Sequence, residues 1–242
     1  MAGMQLTIAI PTMRRWNFFL ERSLPIYLGC PFVKYVLICD ETGEDIEAIL
    51  KSPFANHPKL ILHKNPKRLG IYHNKRQCIA LSPTEWVGVL DSDNFFDLPF
   101  FEKLEAIWKK DGADSKKFYA CGKALFLNEE GKETYPLEGF GGTVITSETW
   151  NSMFEKPKWN YMLNDGNWVV HKSVIHCLPF DVKDEDVLAT DAIFMARLFV
   201  KGGYSYSIHQ ELSYIHMVHK GSSWTSQSAE NNRIWKSTNW KL

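Results

Sequence analysis

Each thing this 242-residue chain lacks removes a class of chemistry. No charge sign prevails, because 28 Lys and Arg stand against 28 Asp and Glu. A nucleic-acid surface calls for a basic excess, so no nucleic acid is expected as a partner. Paired cysteines are missing as well. Cys30, Cys39, Cys78, Cys121 and Cys177 are scattered and form no C-x-x-C pair, which argues against a disulfide framework and a structural zinc site. No stretch approaches the roughly 18 apolar residues of a membrane span, so no transmembrane segment is expected. The start, MAGMQLTIAIPT, has no basic region and no long apolar core, so no signal peptide is read and a soluble, cytoplasmic protein is expected. An H-E-x-x-H zinc motif is absent, and no glycine-rich loop follows the first apolar run, which continues as PTMRRWN. Repeats and linker-like stretches are absent too. The expectation is one domain with two unequal halves, about 1–96 and about 97–242.

What is present is an alternation of strand and helix signals. Leu6–Pro11, Val33–Cys39, Leu60–His63 and Trp86–Leu90 are short apolar runs that read as strands. Between them Arg15–Leu28, Glu44–Lys51 and Gly70–Leu81 have helical spacing, with Pro25 expected to kink or end the first. Strands that are apolar on both faces and separated by helices predict an α/β fold with a parallel sheet covered on both sides. The later half is less regular. It offers a helix over Phe100–Lys110, strands over Phe118–Leu127, Gly139–Thr146 and Asn167–His171, and a buried helix over Ala192–Val200. The tail from Gly221, rich in Ser, Asn and Trp, reads as irregular.

Ligands of parallel sheets bind at the carboxyl ends of strands. Three strands here end in polar or acidic residues: Pro11-Thr12, Asp40-Glu41 and Asp91-Ser92-Asp93. A calcium loop starting at Asp91 fails on counting, since its fifth and sixth positions are Phe95 and Phe96. A polar turn after a strand remains one reading. The other is a pair of hard oxygen ligands for Mg²⁺ or Mn²⁺, cations that keep waters and bind substrate phosphates.

The order IAIPT, VLICDETGED, HKNPKRLGIYHNKRQCIA, WVGVLDSDNFF resembles a nucleotide-sugar glycosyltransferase of the GT-A fold, close to glycosyltransferase family 2. The resemblance implies a mixed, mostly parallel central sheet flanked by helices. It implies that Pro11 and Thr12 on the first strand, with Asp40 and Glu41 on the second, hold base and ribose. Asp40 also reads as an Asx-type turn residue. Gly70–Cys78 matches the family's G-x-x-x-A-R-N helix, with Lys75 at the usual Arg and Arg76 at the usual Asn. Both are then phosphate contacts by resemblance, or else a solvated helix face. Asp91, Ser92 and Asp93 form the D-x-D that carries metal and diphosphate. Asp165-Gly166-Asn167-Trp168 resembles a small-residue segment beneath the donor sugar.

In VLATDAIFMARLFVKGGY, Asp191 falls on the family's catalytic-base position and also reads as a first-turn acid of the following helix. Asp184, Glu185 and Asp186 read as a solvated acidic loop. The tail YIHMVHKGSSW resembles the family's H-x-x-H-x-G-S segment, which implies His219, with His216 second, as a further metal ligand. Lys220, Ser222 and Ser223 are candidate phosphate contacts. Among Trp150, Trp159, Trp168 and Trp224, one or two are expected to line an acceptor cleft. The expected function is metal-dependent, inverting transfer of a sugar from a UDP-sugar to a hydroxyl of a glycan or glycoconjugate. Retaining transfer, a sugar nucleotidyltransferase and a non-catalytic sugar-binding module are the alternatives.

Overall fold

Four apolar runs of the first half become parallel strands: β1 (Leu6–Thr12), β2 (Val33–Asp40), β3 (Leu60–Lys64) and β4 (Trp86–Val89). The computed structural model describes residues 3–128, 130–131, 139–156, 159–222 and 226–242, so Ser223 and Trp224 lie outside the described residues. β1 and β4 are buried along nearly their whole length, as runs without polar alternation require when helices cover both faces. Those helices are α1 (Glu21–Gly29), α2 (Glu44–Leu50) and α3 (Ile71–Leu81). The expected break at Pro25 does not occur. α1 runs through it, because one missing hydrogen bond is offset by burial of Leu24, Tyr27 and Leu28. The irregularity falls earlier, in a wide turn over Trp16–Leu20.

The second half supplies β5 (Asn94–Phe96), α4 (Leu98–Lys110), β6 (Lys117–Asn128), β7 (Val144–Ile145), α5 (Trp159–Leu163), β8 (Trp168–His171), α6 (Asp191–Lys201), β9 (Ser205–Val218) and α7 (Ser228–Ser237). One sheet runs through both halves in the order β3-β2-β1-β4-β8-β6-β9-β5, with β7 beside β9. Strands β1, β2, β3, β4, β6 and β9 run one way; β5, β7 and β8 run the other. This is the mixed, mostly parallel sheet expected. Two expectations need correcting. The strand anticipated over Gly139–Thr146 shrinks to Val144–Ile145, and the tail is not irregular throughout. α7 forms despite poor helix propensity because Ile234 and Asn231 are buried, and Asn231 Oδ1 accepts the Ala189 N–H at 3.2 Å.

The acidic turn sits on aromatic packing. Phe96 stacks flat on Phe100, with ring centroids 4.0 Å apart, and the Phe96 N–H donates to Tyr27 Oη at 3.1 Å. Asp97 starts α4 by accepting the Phe100 N–H at 2.9 Å.

β6 and β9 pair over most of their length, with a register shift between Cys121 and Lys123. A Cβ added at Gly122 there would lie 2.7 Å from His209 O and 2.8 Å from Gln210 Cα, both backbone atoms. Gly122→Ala is therefore expected to cost about 1–3 kcal/mol in urea unfolding, because the strands would have to separate to admit a methyl. A variant as stable as the parent would show that the bulge has slack.

Candidate functional site

The carboxyl ends of β1, β2 and β4, the segment leading into β8, the start of α6 and the end of β9 surround a cavity of about 580 Å³. Part of its wall is Lys75, which α3 carries and which is 3% exposed. Its Nζ meets Asp91 Oδ1 at 2.8 Å and Asp191 Oδ2 at 2.9 Å. Burial pushes the ammonium pKa down, but Asp191 and Asp91 outweigh it and hold it above the usual lysine value. Burial raises the Asp191 carboxyl and Asp91 adds to the rise, while Lys75 opposes it. A Cβ on Gly166 would lie 2.6 Å from Lys75 Nζ, so the absence of a side chain there makes room for the ammonium.

Asp93, two residues beyond Asp91, faces another way. Its Oδ2 lies 2.8 Å from His219 Nε2. Burial alone would raise the Asp93 carboxyl, yet the His219 hydrogen bond and the charge of Arg15 hold it below the usual range. His216 also lines the cavity, but its ring stacks on Phe126 at 4.4 Å and burial lowers its pKa. Among the described residues, no cluster of three or more His, Cys, Asp or Glu stands together as a metal site.

The remaining predicted residues divide. Pro11, Thr12, Glu41, Ser92, Asn167 and Ser222 line the cavity with Asp91, Asp93 and Asp191. Asn167 Oδ1 accepts the Asp91 N–H at 3.2 Å and so fixes the acidic turn. Asp40 and Arg76 are not among the lining residues. Asp40 is fully buried, its oxygens accepting the Thr42 and Ile46 N–H groups at 3.0 Å each, which ties off the start of α2. Arg76 donates to Leu178 O at 3.1 Å and lies under the Phe180 ring at 3.3 Å. Lys220 is exposed. Trp150 and Trp168 are core residues, and Trp159 stacks on Trp235 at 5.0 Å.

Sequence reasoning missed several lining residues, among them Arg15, Arg68, Asp184 as a cavity acid, and Trp235. Trp235 was hidden in the tail read as irregular. Asp184 belongs to the loop read as solvated, and its carboxyl packs against Gly70 where a Cβ would collide with it. Glu41 shares that end of the cavity. Its Oε2 accepts the Leu69 N–H at 2.6 Å, Oε1 is buried, and burial raises its pKa. Asp165 is another buried acid of the cavity. Its Oδ1 accepts from Asn167 N at 3.0 Å and Nδ2 at 2.8 Å, while burial pushes the carboxyl up to about 7.

The family model described as Glycosyl transferase family 2 matches residues 7–177. No curated protein sequence matches the chain. Among solved structures, S. aureus TarS 1-349 in complex with UDP-GlcNAc superposes with a TM-score of 0.65 at 12% identity, over 92% of this chain and 61% of that one. TarS 1-349 with UDP gives 0.63 at 13%, over 90% and 61%. GalNAc-T7 with UDP, GalNAc and Mn2+ gives 0.63 at 12%, over 97% and 48%. The chain thus spans about three-fifths or less of the length of these structures, and at such identities the likeness is one of fold. The GT-A class expected from the sequence is borne out.

The raised Asp165 carboxyl has a stability consequence of definite sign. An unfolded Asp releases its proton near 3.9, whereas this one holds it to about 7, so the folded state binds more protons in between and loses stability as pH rises across that window. Asp165→Asn keeps an oxygen for Asn167 and removes the titration. The stability difference, wild type minus variant, is expected to fall between pH 4 and pH 7 by an amount on the order of 1–4 kcal/mol in urea unfolding. Parallel pH profiles would contradict the assignment.

Proposed function

Because this chain belongs to glycosyl transferase family 2, we propose that it is a metal-dependent, inverting glycosyltransferase. It moves a sugar from a nucleoside-diphosphate sugar, with UDP as the nucleotide, to a hydroxyl of a glycan or glycoconjugate. The observation that carries this reading is that Asp91, Asp93 and Asp191 open into one cavity, with Asp91 and Asp191 joined through Lys75. UDP-GlcNAc, UDP and Mn2+ in complexes of structurally similar proteins support the choice of nucleotide and cation.

Asp191 is the general base. It stands at the first residue of α6, clamped by Lys75, and its raised pKa brings it nearer the range in which a carboxylate takes a proton effectively. It removes the proton of the acceptor hydroxyl as that oxygen bonds to the anomeric carbon. The bond from that carbon to the diphosphate oxygen breaks on the opposite face, and the electron pair leaves with the nucleoside diphosphate. The products are an inverted glycoside, a nucleoside diphosphate and a proton on Asp191.

Asp93 and His219 suit a divalent cation. A carboxylate oxygen and an imidazole nitrogen already meet at 2.8 Å, and two protein ligands leave positions for phosphate oxygens. When bound there, such a cation neutralises charge on the departing diphosphate. The first half, about 1–96, supplies the donor side through Thr12, Glu41 and Asp91. The second half supplies the base and, in Trp235, an aromatic wall suited to an acceptor sugar.

A panel of nucleotide sugars with Mn²⁺ tests the reading through UDP release. Asp191→Asn is expected to lower turnover roughly 100-fold or more, with UDP affinity within about threefold of the parent. Chelation should abolish turnover and Mn²⁺ restore it. Retained anomeric configuration by NMR, or substantial turnover in Asp191→Asn, would replace inversion by retention. No thermal shift and no UDP release with any donor would favour a sugar-binding module.

A further inference from the structure

Two arginines follow β1, and the backbone sends them in different directions. Arg14 sits at φ 60°, in the left-handed region that residues with a side chain rarely adopt. Its side chain runs outward to exposed Glu44, with Nε 2.8 Å from Oε1. Arg15 lines the cavity. Buried Asp45, in the first turn of α2, holds this loop. Its Oδ1 accepts the Arg15 N–H at 2.7 Å and the Trp16 N–H at 2.8 Å, and its Oδ2 accepts the Thr12 hydroxyl at 2.6 Å. At the other end of the side chain, Arg15 Nη2 donates to Gly221 O at 2.8 Å. A Cβ on Gly221 would lie 3.4 Å from Arg15 Nη1 and 3.3 Å from His219 Nδ1, so guanidinium and imidazole press on the same glycine.

Among the cations that line the cavity, Arg15 is the one placed beside Asp93 and His219. Carboxylates dominate the walls: Glu41, Asp91, Asp93, Asp165, Asp184 and Asp191. Lys75 is already shared by two of them. Arg68 acts on Glu41, at the end where Asp184 also lies. Arg76 is turned away to Leu178 and Phe180. Arg15 donates to a neutral carbonyl and lies 5.9 Å from the Phe19 ring centroid; its charge acts on Asp93, but among the described residues it forms no ion pair with a carboxylate. Its planar fork retains donors suited to paired phosphate oxygens.

We propose that Arg15 is the diphosphate-binding cation of this cavity, acting beside Asp93 and His219 in place of Lys75 and Arg76, to which the family resemblance would give that contact. The assignment rests on the nucleotide-sugar reading above. It makes buried Asp45, which accepts the Arg15 and Trp16 N–H groups, the anchor that aims Arg15 inward, while the Arg14 side chain lies outside the cavity against Glu44.

Calorimetric titration of UDP into wild type, Arg15→Ala, Arg15→Lys and Arg14→Ala tests it, with thermal melts of each variant. UDP affinity is expected to fall roughly tenfold or more in Arg15→Ala, less in Arg15→Lys, and to stay within about threefold in Arg14→Ala. Three results would overturn the assignment: an Arg15→Ala affinity within threefold of wild type, an equal loss in Arg14→Ala, or a loss matched by a melting temperature that falls with it. If wild type itself bound no UDP, the nucleotide-sugar reading would fail, and this assignment with it.

Discussion

The buried ammonium of Lys75 between Asp91 and Asp191 is the contact on which the site depends. A lone lysine at 3% exposure would shed its proton or stay out of the core. Two carboxylates at 2.8 and 2.9 Å keep it charged, and in return it brings together the end of β4 and the start of α6, two elements a hundred residues apart in the chain. Neighbouring residues are shaped around this ion. Gly166 has no side chain where a Cβ would strike Nζ, and Asn167 accepts the Asp91 N–H. The proposed base is thus held by the same charge that steadies the acidic turn.

Much of the frame could be read in advance, because its causes are local. Apolar runs without alternation mean strands covered on both faces, and carboxylates directly after such runs mark the ligand edge of the sheet. Asp191 was legible as the acid that opens a strongly apolar helix. Choices between adjacent residues were not. Asp40 and Glu41 follow one another at the end of β2, yet Asp40 turns to the α2 backbone and Glu41 to the cavity. Lys75 and Arg76 differ by one step around a helix, about 100°, so only one of them reaches the cavity. The split between Arg14 and Arg15 depends on the anchor that Asp45 gives the Arg15 backbone, which no composition or period encodes. Trp235 was obscured for another reason: burial of Ile234 and Asn231 overrides the weak helix propensity of the tail.

The polar groups that line the cavity are of two electrostatic kinds. One end has Glu41, raised by burial, together with Asp184 and Arg68, acids suited to meet N–H or O–H donors standing beside one cation. The other has Asp93 and Arg15, with His219 behind Asp93, and these positive groups hold the carboxyl below its usual range. Such a gradient orients a ligand that is neutral at one end and anionic at the other. A nucleoside diphosphate has that polarity.

β5 is only three residues long, yet it pairs antiparallel with β9 and sets Asn94 opposite His216. Asn94 Oδ1 also accepts the Met217 N–H at 3.3 Å. The turn bearing Asp93 and the strand leading to His219 therefore belong to one hydrogen-bonded ribbon. They travel as a unit, so the separation of these two side chains is insulated from movements elsewhere around the cavity. The Arg14–Arg15 loop is held separately, by buried Asp45, so the two sides of this part of the cavity have independent anchors.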